Sequence, residues 1–287
     1  MPSATAFGPR LRHWRQLRAL SQMALALQAD VSARHLSWLE TGKAVPSRAM
    51  VLRLGEQLEL PLRERNALLV AAGYAPLYRE TALSDASLGA ARAVLQRLLD
   101  AHEPWPALAL DRHWNVVMAN RVVPLLLGGV EHELLQPPMN VLRLTLHPRG
   151  LAPMIENLPE WREHVLHRLH RQWQATGDDV LEALHSELSA YVAPASAASS
   201  ESAHAQDQVA MALVLNSPLG RLNFITTLTV FGAPNDVTLS EMAVETLLPA
   251  DAQTAQTLRG LMNEQPAAAA DTVTVMSTVT TQANASA

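Results

Sequence analysis

The stretch from Ser21 to Gly42, SQMALALQADVSARHLSWLETG, constrains this chain more than any other. It holds two short helical periods separated by a tight break, and each period opens on a serine. Ser21 precedes Met23, Leu25 and Ala26, with Ala29 beyond. Ser32 opens the second run, in which Leu36 and Leu39 share a face with Val31 beneath them. Serine is a favoured helix N-cap because its oxygen accepts a backbone N–H of the first turn that has no partner inside the helix. Gly42 follows the last periodic residue, where the chain needs a left-handed cap. Two helices this short cannot bury a core between themselves. They must cross steeply and lean on neighbours, which is the geometry of a helix-turn-helix whose second helix fits a major groove.

The flanking sequence supplies those neighbours. Leu11, Trp14, Leu17 and Leu20 make a helical stripe, which predicts a first helix over about Pro9–Arg18. Pro46-Ser47 opens a fourth helix with Met50, Leu54 and Leu58. Pro61 opens a fifth with Leu62, Asn66, Leu69 and Val70, stopping at Gly73. Charge separates this head from the rest. Residues 1–53 hold eight basic side chains (Arg10, Arg12, Arg15, Arg18, Arg34, Lys43, Arg48 and Arg53) against Asp30 and Glu40, a surplus of six. With −5 overall, the other 234 residues carry −11. A basic head on an acidic body is the pattern of local phosphate binding.

The segment SQMALALQADVSARHLSWLETGK resembles the Cro/C1 (XRE) family of DNA-binding domains. The likeness rests on Ser21-Gln22, the small residue Ala26, Val31-Ser32, and Leu39-Glu40 followed by Gly42. Where the family has glycine in the turn this chain has Asp30, a residue that tolerates the left-handed region better than most. The resemblance implies that Ser32, Ala33, Arg34 and Trp38 fall where base-edge contacts are made, with Ser37 on the same outward face. It places Gln22 as a phosphate clamp, and Lys43 and Arg12 are further candidate phosphate contacts. It also implies that Arg15 and Glu40 form a structural ion pair tying the first helix to the third. A plain solvated helix is the competing reading. An exposed Trp38 beside Arg34 on a basic face fits it poorly.

Beyond the head, Pro76 breaks the chain and Ser84-Asp85 marks the cap of a helix with Val94, Leu95, Leu98 and Leu99 on one face. A hairpin is expected from Leu108 and Leu110 through a turn at Asp111–Trp114 to Val116 and Met118, with Asn120 capping a helix through Leu127. Residues 140–147, 160–176 and 178–190 read as helices, the middle one with a stripe of Trp161, Val165, Leu169 and Trp173. A Ser/Ala loop at 194–206 precedes strands at Val209–Asn216, Arg221–Phe231 and Ala243–Leu248, then a helix to about Met262. Two early strands, a block of helices and then antiparallel strands is the order of a PAS-like domain. The fold class is therefore α+β. The expected domains are a head at 8–73, a linker with a connecting helix at 74–101, a PAS-like body at 102–262 and a disordered tail at 263–287, with residues 1–6 frayed.

Four phrases of this second part, GYAP, HEPWPALALDRHWNVVMAN, NVLRLTLHPRG and FGAPNDVTLSEMAVETLLPADAQTAQTLR, resemble the MmyB-like ligand-binding domain, which is fused to XRE heads in bacterial regulators. The resemblance implies a PAS-like fold around an internal apolar cavity and a small effector, fatty-acid-like or otherwise apolar. Candidate cavity walls are Trp105, Leu110, Trp114, Met118, Leu142, Leu146 and Phe224. Arg143 and His147, read as one helical turn apart, are candidates for holding a carboxylate between them. Ordinary core is the competing reading for the apolar set.

Other chemistries find little support. The chain has no cysteine, no G-x-S-x-G elbow and no phosphate-binding G-x-x-x-x-G-K loop. His164, His167 and His170 recur every third residue, but Arg162, Arg168 and Arg171 stand among them, so a solvated basic face is expected there instead of a metal site. Glu131-His132-Glu133 has no zinc template. No cofactor, no metal and no membrane span are expected. The reading is a cytoplasmic, homodimeric transcription regulator that binds double-stranded DNA and responds to a small effector. The alternatives are a protein–protein adaptor whose helix-turn-helix no longer binds DNA, and a catalytic body.

Overall fold

The structure, a computed structural model, describes residues 7–191, 211–232 and 234–264. The fraying expected at residues 1–6, the Ser/Ala loop at 194–206 and the tail from Pro266 lie outside the described residues. The described chain divides into two compact units, the first built mainly from residues up to Thr81 and the second mainly from those after it.

Five consecutive helices make the main body of the first unit: α1 (Phe7–Leu17), α2 (Gln22–Gln28), α3 (Ala33–Glu40), α4 (Arg48–Gln57) and α5 (Leu62–Ala71). Serine hydroxyls cap three of them. Ser21 accepts from the Ala24 N–H at 3.0 Å, Ser32 from His35 at 3.1 Å and Ser47 from Met50 at 3.2 Å. The turn between α2 and α3 puts Asp30 at φ +53°, and Gly42 leaves α3 at φ +72°. Leu11, Trp14, Leu25, Leu36, Leu39, Leu54, Leu58, Leu68 and Leu69 fill the core. Two details differ from the sequence reading. Helix α1 begins at Phe7, whose ring is buried in that core. On α5 the inward partner of Leu69 is Leu68, while Val70 is exposed. The helix has rotated so that Leu68 and Leu69 share the packed stripe.

The second unit opens with a 3-10 turn capped by Asp85 and helix α6 (Gly89–Ala101). Only Leu95 and Leu99 of its expected stripe are buried; Val94 and Leu98 are exposed. Strands β1 (Ala107–Leu110) and β2 (Val116–Ala119) form the hairpin. Helices α7 (Val122–Leu125), α8 (Val141–Leu146), α9 (Leu158–Thr176) and α10 (Asp179–Ala190) follow. Then come β3 (Ala212–Ser217), β4 (Gly220–Val230), β5 (Ala243–Pro249) and α12 (Ala252–Glu264), with the short α11 (Val237–Ser240) between β4 and β5 grouping with the first unit. The five strands pair antiparallel in the order β2-β1-β5-β4-β3, the sheet order of a PAS-like domain. One hydrophobic cluster joins Leu108, Leu213, Leu215, Leu222, Phe224 and Leu247 of the sheet to Trp161, Val165 and Leu169 of α9 and Leu181, Leu184 and Leu188 of α10. Among the described residues no helix is long and apolar enough to cross a membrane.

Asn120 is not a helix cap. Its side chain is buried, accepts from the Ala107 N–H at 3.2 Å, and donates to the carbonyls of Leu99 at 3.2 Å and Trp105 at 2.8 Å. It thereby fastens the end of α6 to the start of β1 and satisfies backbone groups that the sheet leaves unpaired. Asn140 does cap a helix, accepting from the Leu142 and Arg143 N–H groups at the start of α8.

Candidate DNA-reading face and ligand cavity

The outward side of α3 gathers the residues expected to meet DNA. Ser32, Arg34 and Trp38 are exposed, and Ala33 and Ser37 are half-buried. The Arg34 guanidinium lies over the Trp38 ring at 4.6 Å, a cation–π contact that holds both side chains on the same surface. Lys43 is exposed just beyond α3, and Arg12 is exposed on α1.

Behind this face sits a buried ion pair. The Glu40 carboxylate accepts from Arg15 Nε at 2.6 Å and Arg15 Nη2 at 3.0 Å, with both residues almost wholly shielded from water. It also accepts from the Gln22 amide at 2.8 Å, and Arg12 Nε stands 3.8 Å away. Burial pushes the Glu40 carboxyl up. The hydrogen bonds from Arg15 and Gln22, with the charges of Arg15 and Arg12, outweigh it and hold the group below its usual range. Glu40 thus engages one of the two N–H donors of the Gln22 side-chain amide. Ser32 likewise commits its oxygen to the α3 cap, leaving its hydroxyl proton to donate.

In the second unit, α8, α9 and the sheet surround a cavity of about 70 Å³. Its walls are mostly aliphatic: Leu108 and Val116 from the hairpin, Val141, Leu142 and Leu144 from α8, Leu213 and Leu215 from β3, and Leu247 from β5. Of the expected wall residues, Leu142 alone lines it. Leu110, Trp114, Leu146 and Phe224 are buried in the surrounding core. Trp105 is half-buried beneath the Arg259 guanidinium at 5.3 Å. Met118 is excluded by a register shift between Ala109 and Leu110. It places Val116 and Ala119 opposite Leu110 and Leu108, and Met118 opposite Ala109 on the other face. Arg143 and His147 do not form a carboxylate site. Helix α8 ends at Leu146 and His147 is already extended. Arg143 is engaged twice by Glu187, at 2.8 and 2.7 Å, while His147 meets the edge of the Tyr191 ring at 5.0 Å.

The polar part of the cavity comes from residues that the sequence reading assigned elsewhere. Arg168, expected on a solvated basic face, turns inward: its guanidinium lies over the Trp114 ring at 4.1 Å and its Nη1 donates to Glu245 Oε1 at 3.4 Å. Glu245 is buried on β5, and burial, only partly offset by Arg168, pushes its carboxyl above the usual range. Arg168 Nε and Trp161 Nε1 are buried with no hydrogen-bond partner. Thr145 and Thr226 complete the polar lining. A signal for Arg168 was present, because Trp161, Val165, Arg168 and Gln172 follow the four-three-four spacing of one helical face. His164, meanwhile, stacks on Trp161 at 5.8 Å, so the histidine face is not uniformly solvated.

The comparisons agree with this division. A helix-turn-helix domain model matches residues 6–68, and the model of the MmyB-like transcription regulator ligand binding domain matches residues 91–261. No curated protein matches the chain. Among solved structures, an RNA-binding Light-Oxygen-Voltage receptor is similar at 13% identity and a TM-score of 0.26, over 91% of this chain and 65% of that one, so the chain spans about two thirds of that structure's length. A likeness this slight carries no argument. The family model covers more than half of the chain and the sheet, cavity and head are in place around it: the chain belongs to the MmyB-like transcription regulators, with a helix-turn-helix domain ahead of the ligand-binding domain.

Proposed function

We propose that this protein binds double-stranded DNA in a sequence-specific way as a homodimer, and that a small apolar, fatty-acid-like effector in the second unit modulates that binding. The observation that carries the reading is Arg34 held over Trp38 on the exposed face of a capped second helix. Arginine forks onto guanine O6 and N7, and neighbouring Ala33 suits a thymine methyl. Lys43 and Arg12 serve phosphates and set register without reading sequence. One short helix reads few base pairs, so two heads on paired half-sites supply the rest. The domain limits that go with this reading are 8–73 for the head, 74–101 for the connecting segment and 102–262 for the sensor body.

The test is selection of bound duplexes from a random pool by the full-length protein, then titration of the selected and a scrambled duplex at several salt concentrations. Binding to the selected site is expected to fall steeply with salt. Arg34→Ala is expected to lose about 1–3 kcal/mol on the selected site and little on the scrambled one. A pool that yields no enriched sequence, with binding to no partner but another protein, would favour the adaptor instead.

A further inference from the structure

This inference rests on the cavity being the effector site and concerns the end group it selects. The aliphatic walls say only that the ligand is apolar; Arg168 and Glu245 say more. The two charges face each other within the wall, so that part of the cavity is already close to electrically balanced. Yet the pair is poorly made. Its one hydrogen bond is long, at 3.4 Å, and Arg168 Nε is buried with nothing to donate to. A buried donor without a partner is costly to leave so, and the residue that carries it lines the cavity. An arginine only donates and an ionised carboxylate only accepts. The complementary group must therefore accept from Arg168 and donate to Glu245.

We infer that the cavity takes an apolar molecule ended by an uncharged group that both accepts and donates a hydrogen bond, an amide, a hydroxyl or an undissociated acid, seated against Arg168 and Glu245. A carboxylate could accept from Arg168, but it would bring a second negative charge to a guanidinium that Glu245 already neutralises. Two carboxyl groups sharing one cation in a dry site share a proton as well. An acid ligand thus binds with uptake of one proton, held between its carboxyl group and Glu245. The groups facing Glu245 support this. Its cross-strand neighbours are Leu108 on β1 and Leu228 on β4, Thr226 lines the same space, and Arg168 is the one other charged residue in the lining. His164, a turn before Arg168 on α9, is kept towards its neutral form by burial and by that arginine. Burial makes Glu245 readier than an exposed glutamate to take up that proton.

The experiment is calorimetric titration of the full-length protein with octanamide, octan-1-ol, methyl octanoate and sodium octanoate, and with the hexyl series. Each is run in two buffers of different ionisation heat. The amide and the alcohol are expected to bind without proton exchange, and the ester, which cannot donate, at least tenfold more weakly. Octanoate is expected to take up close to one proton, with affinity falling up to tenfold per unit of rising pH. Glu245→Gln leaves Arg168 uncompensated, so it should bind octanoate without proton uptake and shift the octanoate-to-octanamide preference at least tenfold towards the acid. The wild-type proton count needs no variant and stands if Glu245→Gln fails to fold. Octanoate binding with no proton uptake, or an ester as tight as the amide, overturns the inference while leaving the cavity as the effector site. Binding of none of the compounds overturns both.

Discussion

Replacing Glu40 with alanine removes the group on which three donors of the head converge. Arg15 gives it two hydrogen bonds, at 2.6 and 3.0 Å, and Gln22 a third at 2.8 Å. Arg15, a residue only 8% exposed, keeps only its bond to the Leu20 carbonyl, and its guanidinium is left without a counter-charge. Breaking a buried pair in this way costs about 3–5 kcal/mol. A domain of this size, at about 0.05–0.15 kcal/mol per residue, has about 3–10 kcal/mol in all, so Glu40→Ala takes the head to the edge of unfolding. Hydrogen exchange at the Leu36 and Leu39 amides of the full-length protein reads this locally, without assuming one transition for both units. Replacing both partners, Arg15→Met with Glu40→Leu, should restore most of the loss, because the penalty belongs to the orphaned charge. The pH dependence has a definite sign. The folded carboxyl lies below its ordinary value, so its stabilisation is complete above the unfolded glutamate pKa of about 4.3 and is lost as pH falls through the lower folded value. A loss below about 1 kcal/mol in Glu40→Ala, the scale of an exposed pair, would refute the reasoning.

Three further outcomes follow from the geometry. Gly8→Ala should destabilise the head despite alanine's better helix propensity, because its Cβ would stand 2.5 Å from the Glu40 carbonyl oxygen; unchanged protection of the α1 and α3 amides would contradict the close approach. Asn120→Ala should cost the second unit about 1–3 kcal/mol in urea unfolding, since it removes the partner of the Ala107 N–H and of the Trp105 carbonyl. Lys43→Ala should weaken selected and scrambled duplexes alike and lower the salt slope by about 1, and a loss confined to the selected duplex would make Lys43 a base reader.

The head was legible because its signals are local. A serine one residue before an apolar period, and a glycine just after one, act within a single turn, so Ser21, Ser32, Ser47 and Gly42 could be placed without knowing what packs against them. The order of strands and helices in the body was legible for the same reason. Which face an element buries was less so. Val94 and Leu98 are as apolar as Leu95 and Leu99, and only the strands beneath α6 decide between them. Met118 alternated correctly with Val116 in sequence, until a single irregularity in the β1–β2 ladder reversed its side. The Arg15–Glu40 contact spans 25 positions and came from family resemblance, not from periodicity.

The cavity shows the same limit in its sharpest form. A charged residue among other charged residues reads as solvated, and Arg168 lies between Arg162 and Arg171 on a helix whose Glu163 and Arg171 face water. Its position on the Trp161–Val165 face was the only local sign that it turned inward. What holds it there is distant in sequence: the Trp114 ring from the hairpin turn, and Glu245, 77 positions later. Glu245 looks equally ordinary in AVETLLP until the sheet places it beside Leu108 in the interior. Burying these two groups costs more than leucines would, and the long contact between them recovers only part of that cost. A fold that needed only a core there would be better served by apolar side chains. The imperfect pairing is itself the reason to assign the polar wall to a ligand: a donor and an acceptor in long contact both line the cavity, where a third group can meet them.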